Sequence, residues 1–156
     1  MGLVGTNVEM TGGRAKVSGS VSYIADMDFP GQLHAKALRS PYPHAKLIRI
    51  DASKAAALPG VRAVVTRDDL GGLPPYFGTG VEDQPVVVID KVRCVGDIVA
   101  AVAADALEIA EEALTLIDVD YEELPAVTDI LEAAKATAPI IHERHVDKRA
   151  GGNIHG

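Results

Sequence analysis

The 156-residue sequence predicts one α+β domain. Several short runs either alternate apolar and polar residues with period two or are continuously apolar, as strands require. Two intervening stretches carry helix-capping patterns. With 47% apolar residues but only two Phe, four Tyr and no Trp, the core must be built from Val, Ile, Leu and Ala, and there is material for one such core but not two.

Residues 1–19 hold five glycines and no periodicity, so they are expected to form an arm that something else must hold in place. A strand is predicted over Val21 to Ala25. Asp28-Phe29-Pro30-Gly31 follows, with proline and glycine at the two central positions of a type II turn. Leu33 to Leu38 alternates well and predicts a half-buried strand. It stops at Ser40-Pro41-Tyr42-Pro43, where two prolines remove two backbone donors and make a stiff loop. Ala45 to Ile50 alternates again. Asp51 or Ser53 is placed to cap a short helix, Ala52 to Leu58, which Pro59-Gly60 ends before a strand over Val61 to Thr66. Gly71 to Gln84, rich in glycine and proline around Tyr76-Phe77, reads as a long surface loop of the kind that often faces a partner.

Beyond the loop, strands are predicted at Val86 to Ile89 and Val92 to Val95. The nearly unbroken apolar run Ile98 to Ala104 suits a strand covered on both faces. Asp105 with Glu108 spells a capping box for a helix that would bury Leu107, Ala110 and Leu114. Ile117 to Tyr121 alternates as a last strand, and Thr128 is placed to cap a weaker helix reaching about Lys135. The expected organisation is a flexible arm over 1–19, the α+β domain over 20–143, and a polar tail over 144–156 that leads toward further domains.

The formal charge of −7 and the lack of a basic run with interleaved aromatics argue against a nucleic-acid partner. No apolar run approaches the roughly 20 residues of a membrane span, and nothing resembles a signal peptide, so a cytoplasmic location is expected. The single cysteine, Cys94, excludes an internal disulfide and reads as a buried strand thiol. His142 and His145 stand at a metal-like spacing, but two ligands are too few for a zinc site. The acidic pairs Asp68-Asp69, Glu111-Glu112 and Glu122-Glu123 are expected to be solvated rather than catalytic.

Five segments in register carry a family likeness. They are Ala25 to Ala35 with its Asp28-Phe29-Pro30-Gly31 turn, Leu38 to Ala45 with Arg39-Ser40-Pro41-Tyr42-Pro43-His44, Leu58-Pro59-Gly60-Val61, Val92-Arg93-Cys94-Val95-Gly96, and Val119 to Val127 with Glu122-Glu123-Leu124-Pro125. Together they resemble the N-terminal domain of the molybdopterin-binding large subunit of xanthine dehydrogenase and aldehyde oxidase-type molybdenum hydroxylases. The resemblance implies the α/β hammerhead fold, a bent mixed sheet with two main helices.

It also implies a scaffold role. In such subunits the molybdopterin and the catalytic glutamate belong to later residues, so no catalytic, cofactor-binding or metal residue is expected in this chain, and the chain alone is expected to be inactive. Molybdopterin-molybdenum, iron-sulfur clusters and FAD are implied for the complete enzyme, and the implied partners are molybdopterin-binding domains or a subunit carrying them, with iron-sulfur and flavin subunits. In some members the loop matching Gly78 to Asp83 borders the substrate channel with bulky apolar side chains. Here Gly80 and Val81 occupy those positions, so the resemblance makes them a candidate channel rim with a smaller wall. Arg39, Tyr42 and His44 of the proline loop are candidate domain-interface residues. The alternatives are a stand-alone binding domain or a biotinyl- or lipoyl-type carrier modified at Lys91. The carrier reading lacks the methionine pair of biotin acceptors around that lysine.

Overall fold

The computed structural model describes residues 4–79, 82–143 and 153. The chain divides into two compact units, Met1–Gln32 and Leu33–Gly156. In the first, the described residues form a short helix, α1 (Gly13–Val17), and a single 3-10 turn at Ile24–Asp26. The strand predicted over Val21 to Ala25 is absent among them. The Tyr23 N–H donates to Asp26 Oδ2 at 2.9 Å and the Asp26 N–H returns a bond to Tyr23 O at 3.0 Å, so the chain closes locally instead of pairing. The Pro30-Gly31 turn forms as its residues require, with Gly31 at φ 79° and the Gln32 N–H donating to Phe29 O at 3.0 Å.

In the second unit, β1 (His34–Arg39), β2 (Ala45–Asp51) and β3 (Val61–Val65) form close to their predicted positions, as do β7 (Ile98–Ala104) and β8 (Asp118–Glu123). Between β3 and β7 lie three two-residue strands, β4 (Tyr76–Phe77), β5 (Gln84–Pro85) and β6 (Lys91–Val92). The helices are α2 (Ser53–Ala57), α3 (Leu107–Thr115) and α4 (Ile130–Ala133). The strands assort into two antiparallel three-stranded sheets, β1-β7-β3 and β6-β2-β8, with β4 and β5 as a separate pair.

The long apolar run does become the centre. Val99 packs with Ala45, Leu47, Val88 and Val92 on the second sheet's core, while Ala100 and Val102 pack with Ala55, Ala113 and Ile117 under the helices. One strand therefore joins both cores by alternating its side chains. On the face of β1-β7-β3 opposite α2 and α3, Ala35 and Ala63 flank Ala103, and Ala37 and Val65 flank Ala101. All six are apolar, and Ala35, Ala63 and Val65 are exposed.

Several local expectations fail for identifiable reasons. Val86 to Ile89 makes no ladder, and Val92 to Val95 contributes only Val92, because the Arg93 and Cys94 N–H groups donate to Asp97 Oδ2 at 2.7 and 3.1 Å and curl the chain into a turn. Cys94 is consequently exposed rather than buried. Asp105 does not cap α3. Its carboxylate takes the fork of Arg62 at 2.8 and 2.7 Å, and Ala106 stands at the N-cap without a side-chain bond. Ala110 and Ala113 are the buried residues of α3, whereas Leu107 remains 39% exposed. Asp129, not Thr128, caps α4, accepting from the Leu131 and Glu132 N–H groups, both at 2.9 Å. At α2, Asp51 Oδ1 accepts from the Ser53 N–H and hydroxyl while Ala52 holds the N-cap position.

Candidate functional site

Among the described residues, buried polar chemistry gathers around Thr66 and, more extensively, in two further places. The first is the proline loop between β1 and β2. Ser40 is buried, and its Oγ accepts the Tyr42 N–H at 3.0 Å, closing a local turn. Its backbone is tied to the turn before β7: the Ser40 N–H donates to Asp97 O and the Gly96 N–H to Ser40 O, both at 2.9 Å. Arg39 adds a third tie by donating from Nη1 to Gly96 O at 2.8 Å. The two prolines thus shape a loop whose freed backbone groups are met by a neighbouring turn.

Tyr42 and His44 anchor the loop to the end of β8. The Tyr42 and Tyr121 rings sit 4.9 Å apart at 51°, and burial holds the Tyr121 phenol above its ordinary pKa. His44 is only 4% exposed, with Nδ1 2.7 Å from Pro125 O, an acceptor that fixes Nδ1 as the protonated nitrogen. Its Nε2 is buried and has no hydrogen-bond partner among the described residues. Of the three residues predicted for an interface, Arg39 is exposed, Tyr42 half-buried and His44 turned inward. Gly80 and Val81, the candidate rim, lie outside the described residues.

The second place is one that sequence reasoning misses. Lys91 is 7% exposed, and its Nζ donates to Glu143 Oε1 at 2.5 Å and to Ile140 O at 3.2 Å. Arg93 spreads its guanidinium over Ile141 O, Lys91 O and the Asp90 carboxylate at 3.0 to 3.3 Å, with Glu143 Oε2 at 3.8 Å. Burial pushes the Glu143 carboxyl up, but the Lys91 hydrogen bond and the two cations outweigh it and leave the group below its ordinary value. Asn153 completes the set. It accepts the Ile141 N–H at 2.9 Å and donates to Ala133 O and Pro139 O at 3.1 and 2.9 Å. These contacts join positions 49 and 52 residues apart, which no local pattern announces. The one available signal is that Lys91 and Arg93 stand two apart in an extended segment and so share a face.

This arrangement is structural chemistry. The buried, ion-paired Lys91 ammonium does not suit the carrier reading, because acylating it would break the pair and leave Glu143 only the longer contact to Arg93. Cys94 donates its thiol to Asp97 Oδ1 at 3.0 Å, and that bond, with burial and the carboxylate charge, raises its pKa to about 11. Among the described residues no group of three or more His, Cys, Asp or Glu side chains is placed to hold a metal ion, and no helix is long and apolar enough to cross a membrane. A cleft of about 390 Å³ lies along Ala126 to Pro139. Its lysine, Lys135, is already paired with Glu132 at 2.6 Å beside the Asp129 carboxylate, so the cleft does not fit the pyrophosphate of a molybdopterin.

The family described as "Aldehyde oxidase and xanthine dehydrogenase, a/b hammerhead domain" matches residues 18–125. The chain is 48% identical over 131 residues to a probable xanthine dehydrogenase subunit of Bacillus subtilis (strain 168), covering 84% of this chain and 17% of that protein. It is 38% identical over 140 residues to the nicotinate dehydrogenase large molybdopterin subunit of Eubacterium barkeri, covering 90% and 33%. Among solved structures, quinoline 2-oxidoreductase from Pseudomonas putida 86 superposes with a TM-score of 0.78 at 41% identity, over 86% of this chain and 18% of that one. Reconstituted CO dehydrogenase from Oligotropha carboxidovorans gives 0.86 at 36% identity, over 97% and 19%. The chain thus spans only 17% and 33% of the length of these two curated relatives.

Proposed function

The chain belongs to the aldehyde oxidase and xanthine dehydrogenase a/b hammerhead domain family, and from that premise we propose that it is a scaffold domain on which the molybdopterin-binding part of a molybdenum hydroxylase is assembled. It contributes shape and contact surface, and the chemistry belongs to other parts of the assembly. The observation that carries this reading is the half-exposed, apolar face of β1-β7-β3. A half-exposed antiparallel sheet normally shows water a polar face. Here that face holds Ala35, Ala37, Ala63, Val65, Ala101 and Ala103, with no charged or hydroxyl side chain among them. Small side chains let another layer approach the backbone closely, and a contiguous apolar patch of this kind is characteristic of a contact surface.

In this reading the assembly is a cytoplasmic oxidoreductase acting on a small aromatic, heteroaromatic or aldehyde substrate, with molybdopterin, iron-sulfur clusters and FAD held by the other parts. Arg39 and Tyr42 meet a neighbouring domain. Purification under native conditions from the source cells, with molybdenum determined per chain, tests the scaffold role. Near-stoichiometric molybdenum is expected for the natural protein. Ala63→Lys, which replaces an exposed methyl, is expected to leave the isolated chain's thermal midpoint unchanged and to remove most of the molybdenum. Metal-free recovery of the natural protein refutes assembly and favours a stand-alone binding domain.

A further inference from the structure

Ala126 to Glu143 is attached to the body of its unit without a strand ladder. The last backbone bond to the sheets is the Leu124 N–H donating to His44 O at 3.0 Å, next to the His44 Nδ1 bond to Pro125 O at 2.7 Å. Beyond Pro125, among the described residues, backbone bonds stay inside the segment: the Ala133 N–H donates to Asp129 O, Ala134 to Ile130 O and Ala138 to Lys135 O. No residue from Ala126 to Glu143 is buried, and none belongs to either core. The far end is fastened by side chains. Lys91 Nζ donates to Ile140 O and Glu143 Oε1, and Arg93 Nε to Ile141 O at 3.0 Å. Burial at this contact is one-sided: the Lys91 and Arg93 side chains are 9% and 8% exposed, whereas that of Glu143 is 56% exposed. Two cations are thus kept from water where they meet a segment that is itself wet.

We propose that residues 126–143 are a detachable strap, hinged at Pro125 and latched at Glu143, which opens as one piece while both three-stranded sheets stay folded and presents Lys91 and Arg93 to solvent. This stands apart from the scaffold reading and uses none of its partners. Opening breaks three charge-assisted hydrogen bonds and the longer Arg93–Glu143 contact, but no packing of either core, whereas unfolding loses both cores. Hydration of the released ammonium and guanidinium offsets much of the attraction given up, because a buried cation forgoes that hydration while the latch is closed. The strap keeps its shape as it moves. Asp129 caps α4 with two hydrogen bonds, and Asn153 binds Ala133 O, Pro139 O and the Ile141 N–H, so the ties that open are those to the body. Closed, the strap sequesters two cations that stand two residues apart. Open, it offers them on one face to a carboxylate, the group that Glu143 supplies in the closed form.

The test uses the full chain. Native-state amide exchange is followed in urea below the unfolding midpoint. The Ala133, Ala134 and Ile141 amides are expected to exchange through an opening whose free energy hardly depends on urea, since little surface is newly exposed, while the Val99 to Ala103 amides show the full urea dependence of unfolding. Acetylation by an N-hydroxysuccinimide ester, read by peptide mass, reports the lysines. Lys91 is expected to react more slowly than Lys54, whose side chain is 69% exposed. Glu143→Ala is expected to raise both the Lys91 rate and the strap's amide exchange about tenfold or more, the loss of one hydrogen bond between charged groups, with Lys54 and the Val99 to Ala103 amides unchanged. Glu132→Gln, which breaks the exposed pair with Lys135 inside the strap, is expected to leave the Lys91 rate as it was. Strap amides that share the urea dependence of Val99 to Ala103 in the natural protein, or a Lys91 rate that Glu143→Ala does not raise, overturn the strap and leave the scaffold reading untouched.

Discussion

Asp97 shows how one carboxylate redirects a segment. It accepts the N–H groups of Arg93 and Cys94 and the Cys94 thiol, so a stretch of valines and a cysteine that reads as strand becomes a turn, and a thiol expected in the core is exposed. Exposure would ordinarily make the thiol reactive. Here the hydrogen bond to Asp97, partial burial and the neighbouring negative charge together raise its pKa from 9.0 to about 11, so thiolate is scarce near neutrality. Two pKa units cut the thiolate fraction about 100-fold, and the greater nucleophilicity of a more basic thiolate recovers about tenfold of that. Asp97→Asn is therefore expected to speed iodoacetamide alkylation of Cys94 at pH 8 about tenfold, followed by intact mass. An unchanged rate would mean that the carboxylate charge does not control the thiol.

At the scale of the element, pairing set by period-two patterns is legible in the sequence and pairing set by side-chain hydrogen bonds is not. β1, β2, β3, β7 and β8 follow from alternating or continuous apolar residues, and each lies within a residue or two of its predicted bounds. The first residues of α3 mislead because Asp105 satisfies the sequence rule for a cap, while its tertiary neighbour Arg62 offers a bidentate partner that a backbone N–H does not match. Beyond the two-residue spacing of Lys91 and Arg93, the cluster they form with Glu143 is not legible in the sequence, because Glu143 meets them only after the chain has folded. The turn between α2 and β3 is legible through Pro59-Gly60. Gly60 has φ 90°, and a Cβ there would lie 2.7 Å from Ile109 Cδ1 of α3. Gly60→Ala is expected to destabilise the domain by about 1–2 kcal/mol, from the left-handed backbone and the displaced isoleucine. Urea denaturation measures this, and a shift below a few tenths would show that the turn relaxes without strain.

For the whole molecule, both three-stranded sheets are built by strands from the first half of the chain receiving strands from the second. β7 enters between β1 and β3, and β2 is flanked by β6 and β8. Among the described residues, neither half holds a sheet of its own, and even the small β4-β5 pair joins Tyr76–Phe77 to Gln84–Pro85 across the midpoint of the chain. On the ribosome this order imposes a wait. β1 and β3 emerge with no partner for their backbone groups, and their apolar side chains stay uncovered until Ala104 has been translated. Nascent chains arrested before residue 98 are expected to be digested rapidly by added protease, and chains arrested well past residue 123 to resist it. Protection of the shorter chains would show that the first half folds unaided. Over that interval the growing polypeptide is a client for chaperones, and the rate at which the ribosome delivers Ile98 to Ala104 sets how long it remains one.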